Sequence, residues 1–435
     1  TDKETIVNYQ NVMDNSGAQN KALKKAYERF QALDDTSILK QNYNKYIDDN
    51  SKWLDFPRTG EPDIGFFKFK QFLADEHLKV GKKMLNDMGI KLCGDCLIGF
   101  SSDEVKAFPN AFKKDHYIGD PEWRLPALDY DAITDPNSDA AKLLKMKVQL
   151  FAKRYDAIRF DVGWAYISPI VTPKDEHNIL PQNKKDMGAH LIEFIENSVR
   201  EVKGENFDLH NLMYEFESDP SIFSMWKPNS NELLDGVKGR VKIFGSTYMN
   251  QNDSEGWGSN DAFLKRGFSP DEFVIGPGNH DPQPLRQIAQ NMPDRIRHAD
   301  NSISEEFHKL PAIKALANIF HVSEESLWNP VTFAKYKWAE PMSAKNRQMF
   351  YMDVFGREER FDKQTFNTIL QPEENYAYKI PQNFKQAYHK AVEEGFGFNI
   401  MDSLEKIFTL KGYDKSHSDL YRKIVKFRDI LLEPT

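Results

Sequence analysis

The sequence contains very little cysteine, and this scarcity excludes a fold held together by disulfides. Only Cys93 and Cys96 occur among 435 residues, too few to staple a chain of this length. Their spacing suits redox or zinc chemistry, but zinc needs about four ligands, and no second pair or His-x-His cluster accompanies them. We expect reduced, partly buried thiols that pack as small apolar side chains. No metal site is predicted.

Long apolar runs and an excess of positive charge are also missing. No stretch of about 18 apolar residues occurs, and the polar start, TDKETIVNYQ, lacks the apolar core of an export signal. We therefore expect no membrane partner and a cytoplasmic location. The formal net charge is −8, with both signs mixed along the chain. Without a basic face, nucleic acid is not expected as a partner.

What the sequence does contain is an alternation of amphipathic helices and short apolar strands. Helices are predicted over residues 16–54, 66–89 and 139–155. The last of these has three candidate N-caps: Asp135, Asn137 and Ser138. Strands are predicted at KLCGD, AIRFD, NLMYE, KIFGS, VIGPG and FYMDV. Helix alternating with strand favours a parallel sheet covered by helices.

Polar side chains stand where these strands end. They are Asp95, Arg159, Asp161, Glu215, Asn279, His280 and Asp281. Within AIRFD, Arg159 and Asp161 are two residues apart, so a strand would point both the same way. In a (β/α)₈ barrel the carboxyl ends of several strands supply groups to one site. The predicted fold class is therefore α/β, a TIM-type (β/α)₈ barrel with helical additions.

Three carboxylates that meet an arginine and a histidine suit glycosyl transfer, in which a nucleophile and an acid flank the bond. Arg159 beside Asp161 would favour the ionised nucleophile. Apolar neighbours of Glu215 in MYEF would favour the protonated form that a general acid needs. His280 and Asp281 would hold sugar hydroxyls and stabilise positive charge at the anomeric carbon.

Four segments resemble, in order, the signature regions of the α-amylase clan: GIKLCGDCLIGFSSDEV, YDAIRFDVGW, LMYEFES and GPGNHD. Within the clan, residues 26–360 are most similar to the 4-α-glucanotransferases, or amylomaltases. The resemblance implies three catalytic residues: Asp161 as nucleophile, Glu215 as acid/base and Asp281 as transition-state stabiliser. It implies Arg159 as the partner of the nucleophile, and Asp95 and His280 as the sugar-binding pair. Asn279 is a further candidate for substrate binding.

The activity implied by the resemblance is transfer of α-1,4-glucan segments through a covalent glycosyl-Asp, with retention and without a cofactor. The substrate would be a malto-oligosaccharide or a starch- or glycogen-type glucan. A hydrolase acting on the same glucans is one alternative. A non-catalytic glucan-binding or assembly subunit is another.

Several candidate residues also have a purely structural interpretation. Arg159 and Asp161 could form an ion pair at a barrel rim, and Glu217 competes with Glu215 because one strand would aim both to the same side. Three tryptophans suit either stacking on sugar faces or packing: Trp123, Trp164 and Trp257. Three polar residues could contact substrate or cap a helix that begins at Glu104: Ser101, Ser102 and Asp103.

The chain departs from the family pattern in two loops and in its number of strands. Val162, Gly163 and Trp164 stand where the family has His, an aromatic residue and Arg, and the fourth region reads GNHDPQP. By resemblance KLCGD is the third barrel strand, so the first two are missing. We expect them from an N-terminal fragment or second chain, because open strand edges are usually closed or covered. Strands within residues 1–60 are the competing explanation.

The predicted domain organisation has three parts. They are an N-terminal helical segment (1–60), a catalytic barrel (61–360) and C-terminal helices packed on the barrel (361–435).

Overall fold

The computed structural model describes residues 17–56, 63–119, 123–167, 169, 171–174, 185–216, 242–246 and 273–276, with four isolated positions nearer the C-terminus. The chain divides into two compact units. One comprises Gln10–Phe216 and Ser221–Lys242, and the other comprises Thr1–Tyr9, Glu217–Pro220 and Ile243–Thr435. In the described part of the chain, no helix has the length and apolar character needed to cross a membrane.

Three helices precede the first strand: α1 (Ala18–Gln31), α2 (Ile38–Leu54) and α3 (Ile64–Asp87). The prediction of helix over 16–54 is confirmed, with a break before Ser37, whose side chain caps α2. Two buried clusters, mostly of aromatic side chains, join the three helices: Phe30, Phe66 and Phe69 in one, and Tyr46, Leu54 and Phe72 in the other. Residues 17–56 therefore supply helices and no strand.

Five strands are parallel to their neighbours. In the first unit, β4 (Ala157–Phe160) lies between β1 (Cys93–Cys96) and β6 (Leu212–Phe216). The other two strands, β7 (Lys242–Ser246) and β8 (Phe273–Gly276), pair with each other. All five coincide with predicted strands, whereas FYMDV lies outside the described residues. The predicted α/β class with a parallel sheet is confirmed at this level.

Helices lead into the parallel strands as the alternation predicts. α5 (Asp139–Arg154) precedes β4, and α7 (Lys185–Lys203) precedes β6. The N-cap of α5 is Ser138, whose side chain accepts from the Ala141 N–H at 3.1 Å. Thus Ser138 caps the helix, rather than Asp135 or Asn137. In the C-terminal region, residues 385, 386, 422 and 426 are helical, and the rest of the helices predicted there lie outside the described residues.

A second sheet is antiparallel and was not predicted from the sequence. It contains β2 (Phe112–Ile118), β3 (Pro126–Leu128) and β5 (Val171–Pro173), with β2 in the centre. The middle of β2, KKDH, is polar, and Asp115 has a positive φ of 55°, so the segment lacks the alternation that indicates a strand. Two short α-helices are α4 (Ser102–Ala107) and α6 (Trp164–Ile167). Three 3₁₀ helices complete the described elements: Pro109–Ala111, Tyr130–Thr134 and Leu209–Asn211.

Candidate active site

The register of the three neighbouring strands brings charged residues from distant parts of the sequence together. Asp95 on β1 lies directly opposite Arg159 on β4, and Arg159 lies opposite Met213 on β6. Since side chains alternate along a strand, Glu215 shares the face of Met213, and Asp161 shares the face of Arg159. All four charged side chains therefore converge at the carboxyl ends of β1, β4 and β6.

Arg159 is the centre of this group. Its Nη1 donates to Asp95 Oδ1 and to Asp161 Oδ1, the latter at 2.8 Å, and its Nη2 contacts Glu215 Oε1. Arg159 and Glu215 are buried, whereas the side chains of Asp95 and Asp161 keep 35% and 21% of their exposure. A ligand can therefore reach Asp95 and Asp161 from solvent, while Glu215 lies beneath them.

The turn after β4 is held by backbone hydrogen bonds to both neighbouring strands. The Asp161 N–H donates to the Cys96 carbonyl at 3.0 Å, and the Gly163 N–H donates to the Glu215 carbonyl at 2.7 Å. Between them, Val162 has a φ of +54°, which is unusual for a β-branched residue. Strained backbone of this kind is concentrated at functional sites. The turn fixes the position of Asp161 between its two neighbours.

Glycine at position 163 is required by close approach of the chain to β6. A Cβ built there would lie 2.6 Å from both the backbone N and the backbone O of Glu215. Because these are backbone atoms, no side-chain movement can relieve the clash. Gly163 therefore allows the turn that carries Asp161 to lie directly against the strand that carries Glu215.

Aromatic packing supports the opposite face of the strands. The rings of Phe160 and Tyr214 stack with centroids 5.0 Å apart, and Tyr166 of α6 packs on Phe160 at 5.1 Å. These residues are buried, as is Cys96, which has no solvent exposure. Cys93 is exposed, so the prediction of two partly buried thiols was wrong for Cys93. Neither Cys93 nor Cys96 forms a disulfide bond.

The remaining candidate residues lie partly within and partly outside the described part of the chain. Ser101 caps α4 in a capping box with Glu104, so helix capping accounts for this residue. Trp164 begins α6 directly after the turn, and Trp123 is half-buried in the connection from β2 to β3. Five candidates lie outside the described residues: Glu217, Trp257, Asn279, His280 and Asp281.

Arg159 and Glu215 were predicted to lie at strand ends of one site, but the direct contact between them was not predicted. The alternation within AIRFD indicates only that Arg159 and Asp161 share a face. The contact of Arg159 with the third carboxylate, that of Glu215, depends on the register between β4 and β6. The sequence offers no signal for this register. Among the described residues, no group of three or more His, Cys, Asp and Glu side chains could hold a metal ion. The cation between these carboxylates is Arg159.

No protein-family model matches the chain, and no curated protein matches it either. Among solved structures, the chain is similar to amylomaltase from Corynebacterium glutamicum, with 13% sequence identity and a TM-score of 0.49. The match covers 88% of this chain and 59% of that protein. A likeness at this TM-score supports no conclusion about activity.

Proposed function

We propose that this chain acts on α-1,4-glucans as a retaining 4-α-glucanotransferase. The observation that carries the proposal is the contact of one buried arginine, Arg159, with three carboxylates at the ends of three parallel strands. Retaining glycosidases and transglycosidases need a carboxylate nucleophile and a carboxylic acid on either side of the bond being cut. A glucan is proposed as the substrate because four sequence segments resemble the signature regions of the α-amylase clan.

In the proposed reaction, Asp161 attacks the anomeric carbon and Glu215 donates a proton to the departing glycosidic oxygen. The bond between the anomeric carbon and that oxygen breaks, and a glycosyl ester forms on Asp161. A hydroxyl group of an acceptor sugar then attacks the ester, giving its proton to Glu215 and restoring Asp161. Retention requires the two carboxyl groups to lie about 5 to 5.5 Å apart. We propose Asp281 as the residue that stabilises the transition state and His280 as a sugar-binding residue.

The contact between Arg159 and Glu215 places a condition on this mechanism. Glu215 must carry a proton before the first step, and a guanidinium in contact favours the ionised carboxylate. Glu215 is also buried, which favours the neutral form. We propose that glucan binding moves Arg159 towards Asp95 and Asp161. Glu215 can then take up a proton and meet the glycosidic oxygen.

The proposal extends to the architecture. We propose a closed (β/α)₈ barrel within residues 61–360, preceded by a helical segment (1–60) and followed by helices packed on it (361–435). Because residues 17–56 form the helices α1 and α2 and no strand, we favour an N-terminal fragment or second chain as the source of the first two strands.

Incubation of the purified protein with maltotriose tests the function. A transferase makes a ladder of longer and shorter oligomers, resolved by chromatography or mass spectrometry. Release of shorter sugars alone would replace the proposal with a hydrolase, in which water takes the place of the acceptor. Unchanged maltotriose, with saturable binding measured by calorimetry, would leave a glucan-binding subunit.

A further inference from the structure

The loop that follows β1, residues 97–100, is held by a lysine from another element. Lys147 lies in the middle of α5, and its Nζ donates to the Leu97 carbonyl at 2.5 Å and to the Gly99 carbonyl at 2.7 Å. The same ammonium lies 4.2 Å from the ring centroid of Phe100, a cation–π distance. Lys147 thus contacts three of the four loop residues, and the loop begins two positions after Asp95.

Tyr166 holds the same loop from α6. Its hydroxyl donates to the Leu97 carbonyl at 3.0 Å and lies 3.4 Å from the Cys96 carbonyl. Tyr166 follows the turn that carries Asp161, so its contacts join the ends of β1 and β4 behind the candidate site. The Leu97 carbonyl accepts from both Tyr166 and Lys147, and these two donors come from helices on either side of β4 in the sequence.

The ammonium of Lys147 is also coupled to the charges around it. Loss of surrounding water lowers the pKa of Lys147, while the nearby Cys96 thiol, Glu104 and Asp161 act in the opposite direction. The charge of Lys147 therefore interacts with the charge of Asp161. Lys145, two residues earlier on α5, differs in that it forms a surface ion pair with Glu201 of α7 at 2.7 Å.

We infer that Lys147 is a positioning residue that keeps the 97–100 loop closed, so that Asp95 stays in place against Arg159. Tyr166 assists through the shared Leu97 carbonyl. Neither residue touches the glucan in this role. The effect on turnover rests on the proposed function, whereas the effect on the loop does not.

Cys96 is a natural reporter for this loop. It has no solvent exposure, lies directly before Leu97, and places its sulfur 3.9 Å from the Tyr166 hydroxyl. The other cysteine, Cys93, is exposed and can be removed by Cys93→Ser. In that background, the rate of reaction with an aromatic disulfide such as DTNB measures how often the loop opens.

The loop experiment compares Lys147→Met with Lys147→Arg and with the surface control Lys145→Met, all carrying Cys93→Ser. We expect Lys147→Met to speed modification of Cys96 about tenfold or more relative to the Cys93→Ser parent. Lys147→Arg should react more slowly than Lys147→Met, and Lys145→Met should react at the rate of the parent. Burial raises the pKa of Cys96 and the charge of Lys147 counteracts this. Loss of that charge alone would therefore slow the reaction, so acceleration reports access. An unchanged rate in Lys147→Met overturns the inference.

Two further measurements separate a local effect from general loosening and from a failed function. If circular dichroism shows that Lys147→Met does not fold, Tyr166→Phe replaces it, because this variant removes one of the two donors to the Leu97 carbonyl. We expect Tyr166→Phe to accelerate Cys96 modification by a smaller factor than Lys147→Met. No acceleration would contradict the inference. In the maltotriose assay, we expect Lys147→Met to lower kcat/KM about tenfold, with recovery in Lys147→Arg. A parent protein without activity refutes the proposed function, while the thiol rates still decide the role of Lys147.

Discussion

Charge balance around Arg159 is the central property at the residue scale. One guanidinium contacts three carboxylates, and two of the four groups, Arg159 and Glu215, are buried. Burying a charge without a partner is costly, and removal of one partner from a buried pair costs about 3 to 5 kcal/mol. The site is therefore sensitive to the loss of Arg159, while Asp95 and Asp161 keep access to solvent.

Asp161→Asn is the substitution that tests the nucleophile. An amide of the same shape keeps an oxygen that can accept from Arg159 but cannot form the glycosyl ester. We expect maltotriose turnover to fall by roughly 10³-fold or more, with little change in the thermal unfolding midpoint. Asp139→Asn in the first turn of α5 is the matched control and should keep its activity. Most of the activity surviving in Asp161→Asn would remove the nucleophile assignment.

The sequence predicts only part of this site. The two-residue spacing of Arg159 and Asp161 indicates a shared face, since strand side chains alternate with a period of two. The left-handed backbone of Val162 has no such signal, because valine rarely adopts that conformation. It follows from the hydrogen bonds that the turn makes to β1 and β6, which exist only after the strands have paired.

At the element scale, the turn from β4 into α6 depends on a glycine. In Gly163→Ala, the new Cβ would meet the backbone of β6, so either the turn or the strand must move. We expect a loss of about 3 kcal/mol in the free energy of unfolding, measured by urea denaturation.

Gly81→Ala is the control for this substitution. Gly81 lies within α3, and a Cβ there has no atom within 4 Å. Alanine favours a helix over glycine by about 1 kcal/mol, so we expect Gly81→Ala to stabilise the protein slightly. If Gly163→Ala were as stable as the parent, the close approach of the turn to β6 would be wrong.

Asp156 links α3 to the start of β1 and gives a prediction about pH. It accepts from the Leu92 N–H at 2.9 Å and pairs with Lys82 at 3.0 Å. Partial burial works to raise its pKa, but these contacts outweigh burial and lower the pKa below its usual value. The carboxylate therefore stabilises the folded chain above its unfolded pKa, and this contribution is lost as the pH falls through the folded pKa.

Asp156→Asn should accordingly cost about 1 to 2 kcal/mol at pH 7 and less at an acid pH that lies below the folded pKa of Asp156. Urea denaturation at the two pH values measures the difference. Asp131→Asn, at an exposed position whose pairing with Lys113 is long at 3.9 Å, should change stability by less than about 0.5 kcal/mol. A penalty for Asp156→Asn that is equal at both pH values would contradict the charge-based explanation.

Elements with a clear period were predictable, and those that depend on pairing were not. The helices α3 and α5 follow from apolar spacing and from caps such as Ser138. Strand β2 has polar residues at its centre and is a strand because β3 and β5 pair with it on both sides. Local sequence does not encode such tertiary pairing, so the antiparallel sheet was missed.

At the scale of the whole molecule, the parallel strands and their covering helices agree with the α/β prediction. The proposed (β/α)₈ barrel needs two strands before β1. Residues 17–56 contain helices and no strand, so they do not supply the first two strands. A direct measurement can show whether another polypeptide does.

We expect protein isolated from its natural source to carry a smaller companion polypeptide that supplies these strands. A denaturing gel and intact-mass measurement of the native preparation should show both chains. A preparation that is fully active on maltotriose and contains one polypeptide would rule out the companion.

The arrangement of the two cysteines has a practical consequence. A strand turns successive side chains to opposite faces, so residues three apart, such as Cys93 and Cys96, diverge even though a Cys-x-x-Cys spacing in a turn would bring the sulfurs together. Exposed Cys93 shares its face with Asp95, while Cys96 is buried. A thiol-reactive fluorophore added to the native protein at neutral pH would thus label Cys93 without mutagenesis and report any ligand that binds beside Asp95.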